Sequence, residues 1–212
     1  MTSRPIMDAG PGLNFFSLNK ERLLFSALGP LSVPEAVKEE ILRKAQKDSR
    51  FAASELVWRK LPERLMKVLS DDPTDDLAAT VLRITKTPIQ KRVRTPKDLG
   101  ETMAIAHAAV LADQGTDVIV LMDDSGGRSL VAQEQRRLKR RRAAGQTAGQ
   151  LHLISTITVL ERAAGGQHLP TRAALRDLYA RLRTLDDALI PLDRIAVLKQ
   201  DVVYRRYGNF FF

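Results

Sequence analysis

"IVLMDDSGGR", residues 119–128, is the stretch on which the fold of this 212-residue chain turns. Its aliphatic residues continue from Val118, and an unbroken apolar run of this length reads as a strand covered on both faces, the habit of parallel sheets. Asp123 and Asp124 follow at the strand's carboxyl end, before what reads as a Gly-Gly turn. Adjacent carboxylates repel, so the pair is either well solvated or neutralised by something positive, and a metal ion is one candidate.

Strand and helix patterns alternate on both sides of this stretch. "RPIMDAG" (4–10) reads as a short strand ending at Asp8. "NKERLLFSAL" (19–28) reads as a helix with Asn19 as a possible cap. "GPLSVPEAVKEEILRKAQK" (29–47) is an extended segment and then a helix with Pro34 in its first turn. Val37, Ile41 and Ala45 share one face of that helix, with Glu40 beside it. "TPKDLGETMAIAHAAVLADQG" (95–115) is the clearest helix: Thr95 can cap it, Pro96 suits the first position and Asp98 the first turn. Ile105, Ala108 and Ala112 form its apolar stripe and Glu101 sits on that stripe, where a carboxylate is costly unless paired or metal-bound. The pattern predicts helix for 127–145, strand for 151–155, and helices for 156–166 and 170–185. Alternation of this kind argues for an α/β fold with a mostly parallel central sheet flanked by helices.

Residues 48–95 are the hardest to read. "SELVWRKLP" (54–62) and "RLMKVLS" (64–70) fit strands or helix ends equally. "SDDPTDDLAATVLRITK" (70–86) reads as a capped helix whose acids occupy the first turn. A calcium loop in the same acids lacks the required spacing and the closing Glu.

Composition narrows the chemistry. The chain is 44% hydrophobic and 28% charged, as expected of a globular protein, and 212 residues suit one domain. No apolar run is long enough to cross a bilayer, and the first residues lack the apolar core of a signal peptide, so the expectation is a cytoplasmic protein away from membranes. The absence of cysteine excludes disulfides, thiolate zinc sites and cysteine nucleophiles. The three histidines are scattered, so a metal must be held mainly by oxygen, which favours Mg²⁺ or Mn²⁺. Of the net charge of +9, "RRLKRRR" (136–142) carries six basic residues, and without them the excess is about +3. Such a run is a solvated helix face or a handle for a polyanion.

Ligands of parallel sheets bind outside the carboxyl ends of the strands. Asp8 and Asp123 each end a strand there, and Glu40 and Glu101 lie on helices that pack close by. Four carboxylates drawn from four segments repel by several kcal/mol unless a divalent cation joins them, the usual arrangement for metal-dependent phosphodiester hydrolysis.

In order and approximate spacing, "IMDAG", "VPEAVKEEI", "LGETMAIAHA" and "VLMDDSGGRSLVA" resemble the PIN-domain family, and most closely the single-domain ribonucleases of bacterial type II toxin–antitoxin pairs. "STITVLERA" (155–163) resembles the strand-to-helix step after the last acid. The resemblance covers residue 5 to about residue 165. It implies a single PIN-like three-layer domain over 1–212, with an enlarged middle segment at 48–95 and a C-terminal helical extension at about 166–212. It implies a Mg²⁺- or Mn²⁺-dependent endoribonuclease with Asp8, Glu40, Glu101, Asp123 and Asp124 as catalytic carboxylates. Asp8, Glu101 and Asp123 would hold the metal, and Asp124 would be a further ligand or a base. Thr156 at the pocket rim and Arg140, Arg141 and Arg142 would contact RNA. A small antitoxin protein and a homodimer are the implied partners. Glu35 and Glu39 compete with Glu40 for the second acidic position. The chain departs from the family in having Ala-Gly-Pro after Asp8 and Glu as its third acid.

Two other readings compete. A non-catalytic, nucleic-acid-binding or regulatory PIN-like protein would work through the basic run. A phosphotransfer or phosphatase domain would need a second Asp two residues after Asp8, and "MDAG" lacks it. No Walker-type glycine loop is present.

Overall fold

The computed structural model describes residues 3–187 and 189–191. In chain order the elements are β1 (Ile6–Met7), α1 (Ala9–Ser17), α2 (Glu21–Leu28), β2 (Leu31–Pro34) and α3 (Glu35–Lys47). A 3-10 turn (Ser49–Phe51) leads to α4 (Ala52–Lys60), β3 (Met66–Leu69), α5 (Asp75–Thr85) and α6 (Ile89–Arg92). The chain then runs through α7 (Leu99–Asp113), β4 (Val118–Leu121), α8 (Ser125–Ala143), β5 (Leu151–Ile154), α9 (Thr156–Ala163) and α10 (Arg172–Leu185). Among the described residues no helix is long and apolar enough to cross a membrane.

The strands form one sheet in the order β3-β2-β1-β4-β5, parallel throughout and flanked by helices. The expected α/β architecture with a central parallel sheet is therefore present. Strand order reverses direction between β1 and β4, and such a reversal opens a crevice at the carboxyl ends of the two strands. Register sets what meets there. Met7 lies opposite Leu121, which puts Asp8 level with Met122, one residue short of Asp123. Leu121 lies opposite Ile154, so the same count places Asp123 level with Thr156.

The core explains why these segments pair. Ile6, Met7, Val33, Val120 and Leu121 from the sheet are almost wholly buried, together with Phe15, Phe16, Val37 and Ile41 from the helices. Each such side chain contributes about 1.5–3 kcal/mol of transfer free energy. The stripe on α7 is as the sequence predicts: Ile105, Ala108 and Ala112 are fully buried. In the ambiguous middle, 54–60 falls in α4 and 66–69 is the edge strand β3. Thr74 caps α5, accepting from the Leu77 amide at 3.2 Å, with Asp75 and Asp76 in the first turn. The acids at 71–76 thus need no calcium. Leu77, Val81 and Ile89 build a second small core against Met103 and Ala106 of α7.

Three local expectations fail, each for a visible reason. Gly126 and Gly127 are not a turn but the first residues of α8, which opens directly at Ser125 with Asp124 as its cap. Asn19 does not cap α2; it sits at φ 53°, in the left-handed region that Asn tolerates, and α2 starts at Glu21 after Lys20. Thr95 does not cap α7, which begins at Leu99. Arg92 holds the intervening loop by donating to the carbonyls of Thr95 and Lys97, at 2.6 and 2.8 Å, and to the Thr102 hydroxyl at 2.9 Å. Asp98 is consequently left at φ 53°, outside the helix. The aromatic stretch 204–212 and the last part of the expected extension lie outside the described residues.

An ionic network ties α5, α7 and α8 together. The buried Glu134 binds Arg83 and, at 2.8 Å, Arg137, while Asp113 binds Arg137 at 2.8 Å and also Arg141. Glu134→Ala leaves two arginines facing each other over a hole. It is expected to cost about 3 kcal/mol, the lower end for a broken buried pair because the arginines keep some solvent, and a urea midpoint measures it. An unchanged midpoint would show that the network holds nothing together.

Candidate functional site

The crevice predicted by the strand order is a cleft of about 280 Å³. Asp8, Glu40, Glu101, Asp123 and Asp124 all line it, so the five carboxylates singled out in the sequence do converge. The competing Glu35 instead accepts from the Asp71 amide at 2.9 Å and does not line the cleft.

Each carboxylate is placed by a distinct local device. Asp8 is the last extended residue before α1, its amide donating to the Leu121 carbonyl at 3.0 Å, with only 8% of its surface exposed. Burial drives its pKa up to about 6, the charge of Glu40 adding to the effect and the amides of Ala9 and Gly10 opposing it. Asp123 receives the Thr156 amide at 2.9 Å and the Thr156 hydroxyl at 2.5 Å. Burial still raises its pKa against those two hydrogen bonds. Burial acts on Asp124 too, yet the amides of Gly127 and Gly126, at 3.2 and 2.6 Å, prevail and hold it below the ordinary carboxylate range. Glu101 is desolvated and shares a hydrogen bond with Asp124, which pushes it up to about 8. Glu40 pairs with Lys44 one turn along α3, at 2.8 Å.

Two glycines make the convergence sterically possible. A Cβ on Gly100 would stand 2.8 Å from Glu40 Oε2 and 3.2 Å from Val37 Cγ2, so its absence lets α7 approach α3. A Cβ on Gly127 would stand 2.1 Å from Met122 Sδ and 2.9 Å from Glu101 Cγ, so α8 can start against Glu101 only with glycine there.

Other expected residues are placed differently. Thr156 does not stand at the rim; it is fully buried beneath Asp123, whose carboxylate occupies its hydroxyl, so it orients an acid instead of meeting substrate. Arg140, Arg141 and Arg142 are not beside the acids at all. They end the helix that Asp124 begins, about 24 Å away at 1.5 Å per residue. Arg141 is engaged with Asp113 and Gln146, and Arg142 with the Gly149 carbonyl near the amino end of β5. Arg128 lies close enough to Asp123 to favour its charged form.

Several cleft residues escaped the sequence reading: Asn14, Lys44, Phe51, Asp98 and Asp186. Asp98 carried a usable signal, since it stands three residues before Glu101. Asp186 carried none, because only the return of α10 brings it to α1, where Asn14 Nδ2 donates to it at 2.8 Å.

Among the described residues no group of three His, Asp or Glu side chains stands in a ready-made metal geometry. In kind, the donors fit a hard divalent cation: the lining holds six Asp and Glu besides Asp186, and no histidine. No family model, curated protein or solved structure matches the chain.

The raised proton affinities of Asp8 and Glu101, with Asp123 acting in the same sense, fix a pH dependence. Asp8 and Glu101 bind protons more tightly folded than unfolded, so their contribution to stability is complete below about 4 and fades as pH rises through about 6 and then about 8. The depressed Asp124 acts in the opposite sense, but only in the more acidic range. The melting temperature of metal-free protein is therefore expected to fall between pH 5 and pH 8.5, and Glu101→Gln is expected to flatten that slope. A melting temperature that rises over this window in wild type sinks the assignment. Gly127→Ala is expected to lower the urea midpoint by an amount worth about 1–3 kcal/mol through overpacking. Spectra showing an unmoved Met122 methyl in that variant would contradict the close approach.

Proposed function

We propose that the chain is a divalent-metal-dependent endoribonuclease of PIN-like architecture, the toxic member of a toxin–antitoxin pair. The supporting observation is the convergence of Asp8, Glu40, Glu101, Asp123 and Asp124 from four chain segments on one cleft at the β1–β4 reversal. Partial burial of like charges leaves two of them binding protons far above their ordinary range. A structural role offers no reason to gather them, whereas a site for a cation does.

Asp8, Glu101 and Asp123 would hold Mg²⁺ or Mn²⁺, with Glu40 and Asp124 flanking. The cation supplies charge neutralisation and Lewis acidity toward a phosphoryl oxygen. Asp123 is fixed in orientation by Thr156, which limits its freedom to swing away. Asp124, kept ionised by the amides at the start of α8, would serve as a further anionic ligand; the same depressed proton affinity makes it a weak base. The proton held by Glu101 must leave as the cation enters, so cation affinity should rise with pH up to about 8. The family resemblance carries the remainder of the reading: RNA as substrate, a small antitoxin protein that covers the cleft, and a homodimer.

The test is cleavage of a mixed single-stranded RNA pool by purified protein with Mg²⁺, with Mn²⁺ and with EDTA, against Asp123→Asn purified identically. Cleavage should require the metal and fall about a hundredfold or more in the variant. A folded wild type that is as inert as the variant, with or without metal, removes the catalytic reading. The basic run on α8 then becomes the element to examine as a non-catalytic nucleic-acid handle.

A further inference from the structure

The cleft lining is of two kinds. The carboxylates come from the ends of β1 and β4, from α3 and α7, from Asp98 before α7 and from Asp186 after α10. Leu13, Phe51 and Leu185 come from α1, from the 3-10 turn and from the end of α10. The second set has no part in holding a cation or moving a proton, so the reaction leaves it unexplained. Phe51 packs partly on the core, yet the same side chain lines the cleft. The Arg50 guanidinium lies over the ring, 5.3 Å from its centroid, which fixes the ring and leaves the other face for a base. Arg50 is itself pinned by Asp48, with Nε and Nη2 donating to Oδ2 at 3.0 and 2.7 Å. The end of α10 closes against this turn, since Asp187 acts on Arg50 and Asn14 fastens Asp186.

We propose that Phe51, flanked by Leu13 and Leu185, is a nucleobase-stacking subsite that decides which nucleotide lies next to the bond presented to the carboxylates. The inference rests on the nuclease reading of the same cleft. A phosphodiester held at the acidic set carries a base on either side, and a base is a flat apolar surface that needs a partner within a nucleotide's reach. The apolar lining of the cleft is Leu13, Phe51 and Leu185. Carboxylates repel phosphates but not bases, so the acidic character of the remaining lining does not oppose base entry. The volume of about 280 Å³ sits at the small end of ligand clefts, roughly 300–1,000 Å³, which suits one extruded nucleotide better than a paired one. Substrate therefore enters with that base unstacked, as in a single strand or a loop. Stacking on an aromatic side chain tolerates every base but favours purines by area, so the subsite sets a preference and not a strict code.

The experiment uses short single-stranded RNA carrying 2-aminopurine, whose fluorescence is quenched when it stacks, and the same RNA with an abasic position. Binding is followed with EDTA and with Mg²⁺, and cleavage with Mg²⁺. Wild type should quench the fluorophore and bind the intact RNA about tenfold more tightly than the abasic one. Phe51→Leu, which keeps apolar volume, should lose the quench and that discrimination together. Phe51→Tyr should keep both. Urea midpoints for each variant separate loss of the ring from loss of the fold, and the abasic comparison in wild type needs no variant at all. Equal binding of intact and abasic RNA by wild type, or a quench untouched in Phe51→Leu, overturns the subsite. Cleavage without a quench leaves the nuclease reading standing and removes the subsite. A quench without cleavage keeps the subsite and removes hydrolysis.

Discussion

The parallel register of β1 against β4 is the constraint on which the cleft depends. β1 is only two residues long, yet it is hydrogen-bonded on both sides, and its pairing with β4 fixes Asp8 beside Met122. Moved by one residue, every β1 side chain would change face and Asp8 would leave its place beside Met122, so its approach to the cleft carboxylates of α3 and α7 would be lost. The next pairing repeats the logic, because the β4–β5 register delivers Thr156 to Asp123. Helices complete the set from outside the sheet. Their approach is limited by atoms that are missing, the β-carbons of Gly100 and Gly127, and not by attractive contacts alone.

Gathering the carboxylates costs free energy, and the structure distributes that cost unevenly. Asp124 is stabilised as an anion by two backbone amides and Glu40 is paired with Lys44, while Asp8, Glu101 and Asp123 retain the strain as elevated proton affinity. The scaffold that tolerates this is held elsewhere, by the apolar sheet and by the network of Arg83, Asp113, Glu134, Arg137 and Arg141 on the helices. The same network fastens the middle segment of the chain to α7 and α8. That segment, through Arg92, also fixes the loop that starts the helix bearing Glu101.

What the sequence could say followed the range of the interactions involved. Strand ends and helix stripes are local patterns, and so Asp8, Asp123, Glu101 and the buried face of Ile105, Ala108 and Ala112 were readable. Glycine misled, because Gly126-Gly127 has the composition of a turn and serves instead to let a helix start against a neighbour. Thr156 was found by its position after a strand but assigned the wrong surroundings, since burial is a property of the packed chain. Asp186 and Phe51 were out of reach, as each gains its meaning from elements distant in sequence. The basic run is expected from sequence to contact the same RNA as the acids, since only sixteen residues separate Asp124 from Arg140. A helix converts those residues into roughly 24 Å of separation.

That separation has a consequence for how the molecule meets anything charged. α8 carries an anion at its amino end and arginines at its carboxyl end, the placement that the helix's own peptide dipoles favour at both termini. The element most heavily loaded with charge is thus stabilised by the way the charge is sorted. Under the proposed nuclease reading, a polyanion approaching from a distance would be drawn first to the arginine end of α8, some distance from the cleft. Capture and entry into the cleft would then be successive events, with a reorientation between them. Added salt would weaken the first by shortening the reach of the arginines, and the short-range fit inside the cleft much less.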